Sequence, residues 1–355
     1  MTIPKFSHAS VSFHAELKKR VASYFEQVNE RSTGNVQLFF KAILLSVAFV
    51  LVYAHLVFFT PPAFWAVLES VVLGGLIAAI GFNVMHDGAH GSFSKYKWIN
   101  VLAAYSLNIL GGSSFMWNMK HNVIHHAYTN VDGVDDDIDI QPWMRMSSTQ
   151  KRFFLHRYQH LYFWVLYAML YIFWIFVLDY QKYFRSRIGA MPLKKMALKD
   201  HLIFWGFKVL HFCLFILLPI YTVGIIPWVI GFLIATLFAG FVLSIVFQLA
   251  HTVEHTSFPL PNVETNQLED EWAIHQIKTT ANFATGNKWL SWLVGGLNFQ
   301  VEHHLFPKIS HIHYPAISKI IRETSLEFGI PYIEYPRMRY ALASHVAFLK
   351  QMGRG

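Results

Sequence analysis

Two long apolar runs near the start of the chain, residues 37–59 and 63–85, set the strictest limit on what it can fold into. At ~1.5 Å per residue, each is long enough as a helix to cross ~30 Å of hydrocarbon. Thr60-Pro61-Pro62 between them carries no charge, so the pair reads as a helical hairpin with its turn on the far side of a membrane. Further runs follow at 158–178, 203–221 and 225–250, the last two joined by an uncharged turn from Tyr221 to Pro227. Composition agrees: 54% of residues are hydrophobic and only 14% charged, against about 25% charged in soluble domains. The fold class expected is all-α, a polytopic integral membrane protein. Its 11 Trp and 16 Tyr suit the membrane boundary, where an apolar ring and a polar tip are both satisfied.

Five crossings would put the two halves of the chain on opposite sides. The run at 158–178, however, has Arg152 and Arg157 before it and Lys182, Arg185 and Arg187 after it. Both flanks favour the same side, so this run reads as interfacial or re-entrant. Four transmembrane helices in two hairpins remain, with both termini facing the cytoplasm. The expected layout is one domain: a cytoplasmic leader over 1–36, a first hairpin over 37–85, a cytoplasmic and interfacial region over 86–202, a second hairpin over 203–250 and a cytoplasmic helical cap over 251–355. The net charge of +8 sits beside the apolar runs, as positive-inside flanks do, and no nucleic-acid partner is expected. Cys213 is the one cysteine, which excludes a disulfide framework and a thiolate metal site.

Histidines punctuate the mouths of these helices. His86-Asp87-Gly88-Ala89-His90 follows the second run directly, and a spacing of four puts both rings on one helix face. In Lys120-His121-Asn122-Val123-Ile124-His125-His126, the first two histidines again stand one turn apart, with the third about 100° round the helix. The last run exits into His251 and His255; one or both can reach a shared site, and His251 lies nearer the membrane. Gln300-Val301-Glu302-His303-His304-Leu305-Phe306-Pro307 comes near the end, preceded by Gly295-Gly296. With four crossings, His86, His90, His121, His125, His126, His251, His303 and His304 all face one side. For these to meet, the stretch 98–117 has to lie in or near the interface rather than cross. A single zinc takes three or four protein ligands, so eight indicate two metals. Hydrolytic zinc pairs recruit carboxylates, whereas a nearly pure imidazole set suits an iron pair that activates dioxygen beside a hydrocarbon. The membrane setting makes an acyl chain the natural substrate. The acidic run Asp132, Asp135, Asp136, Asp137 and Asp139 reads first as a solvated loop and second as a source of groups that orient ligand imidazoles. The remaining 12 histidines are taken as surface or packing residues.

The combination His-Asp-Gly-Ala-His, His-Asn-Val-Ile-His-His and Gln-Val-Glu-His-His-Leu-Phe-Pro, over residues 80–320, resembles the membrane fatty acid desaturase family. Gln300, where many members have the first histidine of the third box, resembles the front-end subgroup, which inserts a double bond between an existing one and the carboxyl end. The resemblance implies a four-span fold, a cytoplasmic di-iron centre, dioxygen as oxidant and two electrons from outside. It implies ligand roles for His86, His90, His121, His125, His126, His303 and His304, adds His251 as the ligand after the last span, and places Gln300 at the first position of the third box. Many front-end enzymes carry a fused b-type cytochrome with a His-Pro-Gly-Gly motif. Residues 1–36 contain no such motif, so the expected donor acts in trans, a ferredoxin or a free b-type cytochrome, and the basic face suits an acidic one. The expected substrate is an acyl-CoA or acyl-lipid, held in an apolar tunnel for which Trp117, Trp272 and Trp292 are lining candidates.

Two rival readings are separable. A membrane hydroxylase or ketolase would use the same boxes, but its product gains oxygen where a desaturase product loses two hydrogens. A metal-binding receptor or transporter would need polar residues within the spans, where Lys41, His55, Glu69, Lys208 and His211 are the main exceptions.

Overall fold

The computed structural model describes residues 3–7 and 12–355; residues 1, 2 and 8–11 of the expected leader lie outside the described residues. Most of the rest of that leader is helix α1 (Phe13–Val28), whose N-terminus is capped by the Ser12 side chain accepting from Ala15 N. Phe13, Leu17 and Val21 on one face of α1 join Ile317 and Ile321 in a small core, so the leader is packed onto the C-terminal region.

Helix α2 (Val36–Phe59) starts where Asn35 accepts from the backbone of Gln37 and Leu38, and α3 (Ala63–His90) returns after the two prolines. The second apolar run therefore continues as helix through the first histidine box and stops at Gly91, which takes a left-handed φ of 74°. Next come α4 (Lys97–Ile109) and α5 over residues 114–128. Three long helices follow: α6 (Phe154–Arg185), α7 (Leu198–Val223) and α8 (Ile225–His251). By length and apolar character, α2, α3, α6, α7 and α8 are each able to cross a membrane. At 13 residues, α4 is too short to do so. Three two-residue ladders pin loops: Lys5–Phe6 parallel to Gln267–Leu268, Arg187–Ile188 antiparallel to Met191–Pro192, and Asn282–Phe283 parallel to Glu334–Tyr335.

The contacts of α6 set it apart from the other four. Trp164 stacks on Phe241 and Phe176 meets Phe232, so α6 runs antiparallel to α8. At its far end Tyr183 stacks on Phe204 of α7 at 4.5 Å. Both of its termini are nevertheless tied to one stretch of chain. His156 Nε2 lies 2.7 Å from the Pro142 carbonyl, and Lys182 Nζ lies 3.1 Å from Asp136 Oδ2.

Helices α3 and α8 touch backbone to backbone: a Cβ on Gly74 would stand 2.3 Å from the Ala235 carbonyl oxygen. Small residues permit such close approach where hydrocarbon on both sides leaves packing to drive association. The two helices run in the same direction and deliver His90 and His251 to the same end. Beyond them lie α9 (Trp272–Lys278), α10 (Lys288–Leu293), α11 (Gln300–Leu305), α12 (Tyr314–Glu327) and α13 (Met338–Arg354), which together build the cap. His345 of α13 lies 2.8 Å from the Tyr167 hydroxyl of α6.

Candidate metal centre

Four separate stretches of chain bring eight histidines together. His86, His90, His121 and His303 form one group, His125, His251 and His304 a second, and His126 lies between, grouped with His303 and His304; within each group the ligand atoms are within 4.8 Å of one another. All eight are buried.

Local helix geometry explains how each box contributes. His86 and His90 share a face, with ring centroids 4.6 Å apart. One wide π turn, Gly81–Met85, precedes them. Residues 118–125 of α5 also form π turns, in which the His126 N–H bonds the His121 carbonyl five residues back. In a π turn the residues that face alike are five apart. His121 Nε2 and His126 Nε2 accordingly stand 3.2 Å apart. The spacing that pairs His121 with His125 is kept, their rings stacked at 5.3 Å, while the widened turns also bring His126 beside His121, and His125 joins His251 and His304 in the second group. In α11, His303 and His304 are neighbours about 100° apart round the helix, with ring planes at 89°. One adjacent pair therefore feeds both groups. Gly295, at φ 60°, permits that approach, since a Cβ there would stand 2.4 Å from the Phe82 carbonyl oxygen in the π turn of α3.

The ring nitrogens that point away from the centre are held. His125 Nδ1 lies 3.1 Å from Asp135 Oδ2 and 3.2 Å from Asp137 Oδ2. His304 Nδ1 lies 2.8 Å from Gln276 Oε1, His303 Nδ1 lies 3.1 Å from the Tyr314 hydroxyl, and His251 Nδ1 lies 3.3 Å from the Thr279 carbonyl. Such partners fix ring orientation and tautomer in metal sites. The inward nitrogens are bare: Nε2 of His86, His90, His303 and His304 is buried with no hydrogen-bond partner. An unsatisfied buried polar atom costs about 1–3 kcal/mol, and four converging ones fit a site built to give lone pairs to cations. Burial, reinforced by the neighbouring imidazoles, holds His121, His126, His303 and His304 well below the ordinary histidine pKa. They are therefore neutral and able to ligate at pH 7. His125 is the exception: burial lowers it, but Asp135 and Asp137 outweigh burial and leave it above the ordinary value.

Gln300 is buried among these groups, its Nε2 3.0 Å from His251 Nε2. His255 is exposed, at φ 76°, and stays outside; of the two histidines after the last span, only His251 enters. Trp117 stacks on His121 at 4.3 Å and Trp272 donates to the His126 carbonyl, whereas Trp292 lies apart, beside Lys41.

The acidic run is not a solvated loop. Asp135 is buried, accepting from the backbone of Asn130 and Asp137 as well as facing His125, while Lys120 and Lys182 pair with Asp136. Of the other histidines, His156, His275, His311, His313 and His345 are buried, and His311 Nδ1 lies 3.0 Å from Asp87 Oδ2. Gln276, Thr279 and Tyr314 carried no motif that could mark them; Asp87, lying inside the first box, did.

The family model for fatty acid desaturases matches residues 62–336. The chain is 37% identical over 346 residues to an sn-1 linoleoyl-lipid 6-desaturase of Arthrospira platensis, spanning 97% of this chain and 93% of that one. It is 37% identical over 349 residues to an sn-1 linoleoyl-lipid 6-desaturase of Synechocystis sp., spanning 96% of each. An acyl-lipid (8-3)-desaturase of Physcomitrium patens is 35% identical over 345 residues, 96% of this chain and 72% of that one. Similarity of this extent runs through every histidine stretch that the fold gathers, and the chain belongs to the fatty acid desaturase family.

Proposed function

We propose that this desaturase acts on acyl chains carried by a lipid, that both histidine groups hold iron, and that the double bond is inserted on the carboxyl side of an existing one. The chain is an oxygen-dependent oxidoreductase of the front-end desaturase type. The names of its relatives, two linoleoyl-lipid 6-desaturases and an acyl-lipid (8-3)-desaturase, support a lipid-linked polyunsaturated substrate. The observation that carries the metal reading is the convergence of bare, buried imidazole nitrogens in two groups.

Iron bound there supplies the oxidising power by which dioxygen, two protons and two external electrons take two hydrogens from adjacent methylenes, leaving a cis alkene and two waters. The protein's part is positional. His303 and His304 set the two groups side by side, and Asp135, Gln276 and Tyr314 hold rings by their outer nitrogens. Trp117 backs the His121 ring, stacked on it at 4.3 Å. Gln300 is the candidate ninth group, its amide aimed at the position shared with His251. The electron donor is a separate protein, a ferredoxin or a b-type cytochrome, meeting a basic face on the cytoplasmic side. Four spans, α2, α3, α7 and α8, form one membrane domain with both termini on that side, and the tethering of both ends of α6 to residues 136–142 supports its exclusion from the crossings.

Expression in a host fed linoleate, with the double bonds of its lipids located by mass spectrometry, tests the assignment. The expected product has lost two hydrogens, and His304→Ala, correctly inserted in the membrane, forms none. A product that has gained oxygen would assign a hydroxylase, and product from His304→Ala would sink the site.

A further inference from the structure

A lysine within a span is costly unless paired, and its partner marks what it is for. Lys41 lies in the first turns of α2 and is buried, 5% exposed. Its Nζ stands 3.5 Å from His311 Nε2, with the Trp292 ring at 4.8 Å. The other nitrogen of that ring, His311 Nδ1, lies 3.0 Å from Asp87 Oδ2, and Ser310 Oγ donates to the same oxygen at 2.7 Å. An ammonium can only donate, so His311 Nε2 accepts and its Nδ1–H donates to the carboxylate. The result is one buried chain, Lys41 to His311 to Asp87, that joins the first span, the segment behind the third box and the first box itself.

Asp87 is covalently next to His86, and its carbonyl also accepts from the backbone of Ser92 and Phe93, where the chain turns away after His90. The His86 ring in turn packs on His303 at 4.4 Å between centroids. No member of the chain reaches the other group, His125, His251 and His304, whose rings are held by Asp135, the Thr279 carbonyl and Gln276.

We infer that Lys41 and His311 are positioning residues for one of the two metal positions, the one formed by His86, His90, His121 and His303, acting through Asp87. Lys41 supplies the counter-charge that keeps the Asp87 carboxylate directed at the segment behind the third box. That link fixes the separation of His86 from His303. This rests on the two-iron reading above.

Iron per chain in the purified, folded protein tests the inference. Wild type should hold two irons, and Lys41→Met and His311→Phe about one, while His311→Gln, whose amide can accept from Lys41 and donate to Asp87, should restore the second. Lys208→Met, at the separate buried pair with Asp179, removes a buried lysine without touching Lys41, His311 or Asp87 and should keep two. Wild type holding fewer than two irons would defeat the two-iron reading itself. Wild type with two and both Lys41→Met and His311→Phe with two would overturn this inference alone, as would an equal loss in Lys208→Met. Should either disruptive variant fail to fold, Ser310→Ala, which removes one hydrogen bond to Asp87, reads the same position as weaker binding of one iron in a chelator titration; two unchanged irons there would count against the link.

Discussion

Asp135→Asn is the substitution whose effect the structure predicts most closely. The two carboxylate oxygens of Asp135 accept from the Asn130 N–H at 2.9 Å and the Asp137 N–H at 3.0 Å, and both lie near His125 Nδ1, at 3.1 and 3.3 Å. An asparagine has one acceptor oxygen, so one of the two backbone N–H groups would face an NH2. A buried donor without a partner costs about 1–3 kcal/mol, and the fold should be weakened by that amount. His125 also loses one of its two charged partners, Asp137 remaining at 3.2 Å. Removing such an orienting group typically lowers metal affinity about 10–100-fold, or about 1.4–2.8 kcal/mol, and the loss should fall on the group His125, His251 and His304. Asn130 adds to it, because its side chain donates to the His251 carbonyl at 2.9 Å. Titration of the iron-loaded protein with a graded chelator, alongside thermal unfolding of the metal-free form, measures both terms. Asp139→Asn, exposed in the same loop, is the control. Equal affinities for Asp135→Asn and Asp139→Asn would refute the claim that Asp135 orients His125.

His251→Ala should abolish desaturation while His255→Ala leaves it within twofold of wild type, measured as product in a fed host; equal losses would place His255 in the site. Gly240→Val should destabilise the protein by about 1–3 kcal/mol through overpacking, because a Cβ there would stand 2.2 Å from the Ala168 carbonyl of α6; unchanged thermal unfolding in detergent would mean that α6 and α8 are not in backbone contact. The metal-free protein should lose stability as pH falls from about 7 to about 5. The ordinary histidine value is about 6.5, whereas His121, His126, His303 and His304 lie well below it when folded and burial takes His275 and His345 down to about 4. The unfolded chain therefore binds more protons across that window, and stability rises with pH through it. A melting temperature flat from pH 7 to pH 5 would contradict the burial of these rings.

The spans and the eight box histidines were legible because they depend on apolar run length and on residue type at short spacing, and both are written into the chain. What the sequence could not disclose was the π winding of residues 118–125, since it is a choice of backbone hydrogen bonds and not of side chains. It brings His126 beside His121 while His125 keeps its ring stacked on the same residue. Asp135 came only second in the reading of its run, for a different reason. A run of five carboxylates over eight positions looks solvated in composition, and only Lys120, Lys182 and the turn at Asn130 make its burial affordable. Gln276 and Tyr314 come from helices that meet the boxes only in three dimensions.

The third box has a consequence for how the protein is made. His86, His90 and His251 sit at the ends of α3 and α8, and His121, His125 and His126 on α5 between the hairpins, but His303 and His304 sit on α11, a six-residue helix fastened through Asn282 and Tyr332 to Glu302. Those fasteners leave the ribosome after all the apolar helices have emerged. Until then both histidine groups lack a wall, and iron captured earlier would be held by fewer ligands. On the two-iron reading proposed above, the full ligand set would form only after the spans are made, once the third box has emerged.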